Sequence, residues 1–123
     1  MREYRQGDTV RLRVTVRDPH GVKFVYAIAT REGSANKGGV LQTEHIRLEG
    51  TPPQRGPDPV TIDLLALVTN QLPGVYVCQE IQAYDGFFQV GRNSLIPPRR
   101  FRIVESAEDD REGPEVLEVG EFS

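Results

Sequence analysis

The sequence predicts an all-β fold, a sandwich of about seven short and mostly antiparallel strands. Three observations lead to this prediction. Apolar and polar residues alternate along several segments, turn-forming residues recur about every eight to twelve residues, and no long segment has helical periodicity. The twelve glycines and nine prolines suit a chain with frequent turns. The length of 123 residues predicts one domain, with a body over residues 1–104 and an acidic tail over residues 105–123.

The alternation is clearest early in the chain, where Val10, Leu12, Val14 and Val16 alternate with Arg11, Arg13, Thr15 and Arg17. A period of two indicates a strand with one buried face and one solvated face. The predicted strands cover residues 10–16, 22–28, 40–50, 60–68, 75–84, 87–90 and 100–104, and a shorter candidate covers residues 3–5. The run LLAL at residues 64–67 is also compatible with a helical turn.

The segment LPGVYVC, residues 72–78, has the pattern of a sandwich corner. In antibody-type sandwiches a tyrosine near the start of the sixth strand bonds its hydroxyl to the upstream backbone, and a bridged cysteine follows two residues later. Tyr76 and Cys78 have this spacing, but the chain has a single cysteine, which excludes an internal disulfide. We therefore predict that Tyr76 forms a structural corner and that Cys78 is a small buried side chain. The alternative is that Tyr76 is an ordinary core aromatic.

Strict alternation after this corner would point Glu80 into the core and Ile81 and Ala83 into solvent. Burying an unpaired carboxylate costs several kcal/mol. A one-residue β-bulge near Gln79 and Glu80 would reverse this outcome, because the extra residue shifts the later side chains to the opposite face. The sequence therefore predicts a bulge there.

YRQGDTVRLRVTVRDPHGV, followed by PGVYVCQEIQAYDG and a closing FRIV, resembles immunoglobulin-like sandwich modules of bacteria and their phages. The opening resembles small single-domain proteins of tailed-phage structural modules, and the resemblance covers residues 4–104. The resemblance implies a fold of the immunoglobulin-like or fibronectin-III-like type and an interaction protein associated with a particle or a surface. It implies no catalytic residues.

Charge is distributed unevenly along the chain. The tail contains eight acids and one arginine, a net charge of −7, whereas the body carries +4, so that the whole chain has −3. Within the tail, four apolar residues lie among the acids: Val116, Leu117, Val119 and Phe122. This pattern predicts an adhesive strand that adds to a sheet edge of its own body or of a neighbouring subunit. A disordered solubilising end is the alternative.

Two rows of arginines are candidates for the surface that meets such a strand or another acidic partner. Arg11, Arg13 and Arg17 line the polar face of one strand, and Arg100 and Arg102, with Arg99 beside them, line another. Solvated strand faces are the alternative. The net negative charge and the lack of interleaved aromatic residues argue against nucleic acid as the partner.

The sequence offers no constellation of catalytic or cofactor-binding residues. Cys78 and the histidines His20 and His45 fall in separate elements and have no metal-ligand spacing. The glycine-rich GSANKGG lacks the phosphate-loop pattern, the turn aspartates form no calcium loop, and no apolar run is long enough to cross a membrane. We therefore expect no enzyme, no cofactor, no metal site and no membrane partner.

The expected function is that of a non-catalytic structural protein of a phage particle, a capsid decoration or head–tail component located in the virion. It would act through protein–protein contacts, as a homo-oligomer or within a larger assembly. The alternative is a bacterial module at the cell surface or outside the cell that binds carbohydrate or protein.

Overall fold

The computed structural model describes residues 1–17, 21–33, 42–52, 58–85, 90–105 and 118–121. These residues contain seven β-strands, one 3-10 turn and no α-helix, which confirms the predicted all-β class. The strands are β1 (Glu3–Tyr4), β2 (Thr9–Val16), β3 (Phe24–Arg31), β4 (His45–Gly50), β5 (Val60–Leu67), β6 (Gly74–Tyr84) and β7 (Val90–Ile103), and the 3-10 turn (Gln42–Glu44) precedes β4.

The strands form one sheet in the order β1-β7-β6-β3-β4-β5-β2, which curls until it is nearly barrel-like. All neighbours are antiparallel except β1 and β7, which run parallel. The ladder between β2 and β5 is regular along the whole length of both strands, whereas β4 and β5 are joined by the single pair Glu49 and Leu65. A complete separation into two sheets, as the sandwich prediction required, is therefore not observed.

The core lies inside this curled sheet. Its most deeply buried large side chains come from several strands, Leu64 on β5, Leu48 on β4 and Ile103 on β7 among them. On β2 the pattern follows the prediction, with Val10 buried and Leu12, Val14 and Val16 packed against the core. Each such aliphatic side chain contributes about 1.5–3 kcal/mol when it is fully buried. The core therefore needs no disulfide, and Cys78 is free and buried within it.

Several predicted boundaries are corrected by the structure. The separate strands predicted at residues 87–90 and 100–104 belong in part to one strand, because β7 runs without interruption from Val90 to Ile103. Residues 86–89 lie outside the described part of the chain. Leu64 to Leu67 extend within β5 and form no helical turn, and β4 begins at His45, after the 3-10 turn, instead of at residue 40.

β7 remains continuous because Pro97 and Pro98 fall where its ladder with β6 is irregular. The ladder changes register between the pair Cys78 and Arg99 and the pair Glu80 and Ser94. The prolines lie between these two pairs on β7, so their missing N–H groups remove no regular ladder bond.

The predicted bulge in β6 is confirmed. The register of β6 shifts against both neighbours around Gln79 and Glu80. As a result Cys78 and Ile81 are both buried, and Ala83 packs against the core. The side chain of Glu80 remains 40% exposed. The cost of burying a carboxylate therefore predicted a backbone irregularity correctly.

Tyr76 lies at the centre of the corner between β5 and β6 and is fully buried. Its hydroxyl oxygen lies 2.7 Å from the carbonyl oxygen of Leu72, four residues upstream, and 3.1 Å from that of Thr43 in the 3-10 turn. Its ring stacks on Phe101 of β7, with ring centroids 5.6 Å apart. One side chain thus connects the β5–β6 loop, the turn before β4 and the last strand.

Candidate interaction site

The two ends of the curled sheet do not pair with each other along most of their length. β1 covers only Arg102 and Ile103 at the end of β7, and β2 has a ladder partner on one side only. We call the gap between the open edges of β2 and β7 the seam. In the described part of the chain no strand fills it.

A tight turn from β1 to β2 joins the two sheet ends at one end of the seam. The Asp8 N–H donates to the carbonyl of Arg5 at 2.9 Å, and Gly7 between them has a φ of 90°, which favours glycine. The Gly7 N–H donates to the carbonyl of Val68 at 2.8 Å, and the Val68 N–H donates to the carbonyl of Asp8 at 2.9 Å. This geometry is that of a β-bulge with glycine in its first position.

The same bonds determine which backbone groups of β2 face the seam. Residues of an antiparallel ladder alternate between bonding to their partner strand and pointing away from it. Since Asp8 bonds to Val68, the even-numbered residues of β2 bond to β5. The backbone N–H and C=O groups of the odd-numbered residues, Arg11 and Arg13 among them, therefore point into the seam.

The open edge of β7 can be identified in the same way. The N–H groups of Arg102 and Val104 donate to carbonyls on the β1 side, at 2.9 Å in both cases. Alternation therefore also directs the backbone of Arg100 away from β6. Because β1 begins beside Arg102, this edge of Arg100 lies at the seam.

An apolar cavity of about 230 Å³ opens at the seam. Its lining contains inward-pointing side chains of both edge strands and reaches across the core to β4 and β6, so the cavity extends from the surface into the interior. The apolar lining residues are Tyr4, Val10, Leu12, Leu48, Cys78 and Phe101.

Four arginines surround this cavity: Arg2, Arg11, Arg99 and Arg100. The sequence places Arg11 and Arg100 in two separate rows, and the structure brings one member of each row to the same opening. Arg2 was not among the predicted site residues, and Arg99 was placed only beside the second row. Arg2 lies over the ring of Tyr4, 5.6 Å from its centroid.

Surface carboxylates compensate part of this positive charge. Asp63 of β5 is shared by Arg11, at 3.8 Å, and Arg13, at 3.1 Å, and Arg100 pairs with Glu32 at 2.9 Å. All three arginine side chains are at least 42% exposed, so each pair contributes at most about 1 kcal/mol. Such pairs can exchange for a partner's carboxylates at little cost.

The remaining predicted arginines lie at the two ends of the seam. Arg17 follows β2 and lines a second, smaller hollow of about 110 Å³ with Gly91 and Asn93 of β7. Arg102 is exposed and lies in register with Glu3 of β1. The seam therefore extends along the whole of β2, with its larger cavity near the start of that strand.

The predicted docking strand in the tail is described only from Glu118 to Glu121. Val116, Leu117 and Phe122 lie outside the described residues. Val119 is 83% exposed, and the segment from Glu118 to Glu121 forms no strand. Docking of this segment on its own body is therefore not observed.

Cys78 lies at the floor of the cavity and is 3% exposed. Burial raises the pKa of its thiol, and the thiol donates to the carbonyl of Glu80 at 3.5 Å. The reactive thiolate is therefore disfavoured, as expected for a packing residue.

A third concavity, of about 480 Å³, lies on the outer face of β3 and β6 at the bulge. Tyr26, Gln79, Glu80 and Gln82 contribute to its lining. Tyr26 donates to Gln82, and the guanidinium of Arg47 lies 4.3 Å from the centroid of the Tyr26 ring. Sequence reasoning did not identify this groove, because the register shift that creates it depends on three strands together.

The described ranges contain no group of three or more His, Cys, Asp or Glu side chains that could hold a metal ion. They also contain no helix long and apolar enough to cross a membrane.

No family model matches the chain, and no curated protein matches it.

Proposed function

We propose that this chain is a non-catalytic interaction protein with an immunoglobulin-like sandwich fold, and that it serves as a structural component of a phage particle. It would decorate the capsid or act at the head–tail junction. The observation that carries the interaction role is the seam, where an open strand edge, an apolar cavity and four arginines coincide. The assignment to a phage particle rests on the sequence resemblance.

Two features support the immunoglobulin-like assignment. The sheet is close to division into two ladders, because β2 and β5 are connected to the other five strands through the single pair Glu49 and Leu65. The hydroxyl of Tyr76 also lies against the backbone four residues upstream, which is the arrangement of a tyrosine corner.

The seam has the properties of a protein-binding surface. Arginine is enriched in the central residues of interfaces, where it combines a charge with a partly apolar stem. An open strand edge supplies backbone donors and acceptors that an extended partner segment can pair with. Ile96 on β7 is 89% exposed and provides a further apolar anchor.

The test is copurification with a particle. An affinity-tagged chain, produced during infection of a host by the phage that encodes it, should sediment with assembled capsids or tails and appear at symmetric positions in electron micrographs. The double variant Arg11→Glu, Arg100→Glu should lower its occupancy on the particle at least tenfold. The matched control is Arg92→Glu, an exposed and ion-paired arginine near the other end of β7.

Occupancy that is unchanged in the double variant would contradict the role of the seam. Absence of the protein from every large assembly would contradict the particle role.

The alternative function, a surface or secreted module that binds carbohydrate or protein, is favoured by the groove on β3 and β6. Its mixed lining of Tyr26 with amide and carboxylate groups suits a polar ligand. Glycan-array binding that is lost in Gln82→Ala and retained in the seam variants would support this alternative.

A further inference from the structure

We propose that residues 115–122 of a second copy of this chain insert into the seam as an added strand between β2 and β7. This inference rests on the proposed role as an interaction protein, and it names one partner and the segment that this partner contributes.

The seam provides the hydrogen-bonding groups for such a strand. The backbone of Arg11 and Arg13 points into it from β2, and the backbone of Arg100 points into it from β7. An inserted strand can therefore form a ladder with either edge or with both. The inserted strand hydrogen-bonds to backbone N–H and C=O groups that are otherwise unpaired. An unpaired strand edge is prone to unspecific pairing with other chains.

The side-chain pattern of residues 115–122, EVLEVGEF, fits the cavity. In an extended strand Leu117 and Val119 lie on one face, with Glu115 and Glu121 before and after them. An apolar cavity of about 150 Å³ accepts a benzene-sized group. The seam cavity of about 230 Å³ is therefore large enough for an aliphatic side chain of this face.

The charges are complementary as well. The segment carries three carboxylates, and the opening carries Arg2, Arg11, Arg99 and Arg100. Glu118 lies on the opposite face from Leu117 and therefore projects toward the outer surface, where the side chains of Arg11 and Arg100 lie. Opposite charges on neighbouring strands contribute roughly 0.2–1 kcal/mol per pair.

The length of the segment also agrees with the seam. The eight residues of the segment equal the eight residues of β2. A second copy, not the same chain, is the donor, because Glu118 to Glu121 are exposed and outside every strand of their own chain. Since each copy both offers a segment and accepts one, the assembly closes as a reciprocal dimer or a ring.

The first test is the oligomeric state of the full chain, measured by sedimentation over a wide concentration range. We expect concentration-dependent self-association that Leu117→Asp weakens at least tenfold. Val116→Asp is the matched control, since it adds the same charge at an adjacent aliphatic residue on the opposite face. It should weaken association less than Leu117→Asp does. Equal effects of the two variants, or a monomer at every concentration, would overturn the proposal.

The second test uses Cys78 as a reporter, because its thiol lies at the floor of the cavity. A synthetic peptide of residues 113–123, added to the full-length Leu117→Asp variant, should slow modification of Cys78 at least fivefold. The same peptide with Leu117→Asp should not. Equal protection by both peptides would overturn the proposal, as would hydrogen-exchange protection of the tail in a monomeric chain.

Charge exchange provides an independent control. Arg11→Glu should weaken self-association, and Glu118→Arg in the donor segment should restore it. Failure of the restoration would contradict the pairing across the seam.

These measurements need no particle, so a chain that self-associates through the seam but never copurifies with particles refutes only the proposed function. A chain found on particles as separate monomers refutes only the strand insertion.

Discussion

The corner at Tyr76 allows a sharp test of the packing, by the variant Tyr76→Phe. This change removes one hydroxyl oxygen and keeps the ring that stacks on Phe101. The carbonyl of Leu72 then loses a donor at 2.7 Å. The carbonyl of Thr43 keeps a donor, because it also accepts the N–H of Leu72 at 2.8 Å.

The expected loss follows from these bonds. An intramolecular hydrogen bond contributes a net 0.5–1.5 kcal/mol, and a buried group left without a partner costs about 1–3 kcal/mol. Since one carbonyl is orphaned and lies in a partly buried position, we expect a loss of about 1.5 kcal/mol. For a chain of this length, 1 kcal/mol corresponds to a shift in Tm of about 4 °C. The variant should therefore melt about 6 °C below the wild type.

The measurement is urea unfolding at neutral pH together with calorimetry. Tyr4→Phe is the matched control, because the Tyr4 ring packs edge-on against the same Phe101 and its hydroxyl makes no hydrogen bond to a described residue. That variant should lose no more than about 0.5 kcal/mol. The corner explanation would be wrong if both variants lost the same free energy of unfolding.

Three further predictions follow from other parts of the structure. Burial raises the pKa of Tyr76 to about 12 from 10.0. The folded state therefore holds the phenolic proton more tightly than the unfolded state does. The resulting contribution to the free energy of unfolding is complete below pH 10 and is lost as the pH rises toward 12. The unfolding free energy of the wild type should thus fall more steeply between pH 10 and 12 than that of Tyr76→Phe, and parallel pH profiles would count against this. Gly50→Ala should cost about 1–3 kcal/mol in urea unfolding, because its Cβ would lie 2.7 Å from the backbone oxygen of Asp63 at the narrow junction of β4 and β5. In the control Gly91→Ala the closest atom is 3.9 Å away, and equal losses in the two variants would refute the explanation. The thiol of Cys78 should react with a thiol reagent at least 100-fold more slowly in the folded protein than in denaturant, since it is buried and its pKa is raised; comparable rates would show that the cavity floor is open to solvent.

Local chemistry was sufficient to predict much of the fold. The alternation in β2 predicted both the strand and its buried face, and the cost of a buried Glu80 predicted the bulge in β6. A single cysteine excluded a disulfide, and Tyr76 after a Pro-Gly turn indicated the corner. In each case the cause lies within a few residues of its effect, since side-chain periodicity and desolvation act along one strand.

The seam and the order of the strands depend on interactions between distant segments. No local pattern shows that Arg11 and Arg100 meet at one opening, because their proximity requires the sheet to curl until β2 approaches β7. The continuity of β7 through Pro97 and Pro98 likewise depends on an irregular ladder with β6. Pairing and closure are decided by which edges bury the most apolar surface together, and this depends on the complete set of strands. The pattern of side chains along the sequence thus determined which residues are buried. The tertiary structure decided which of the exposed residues lie together at the candidate interaction site.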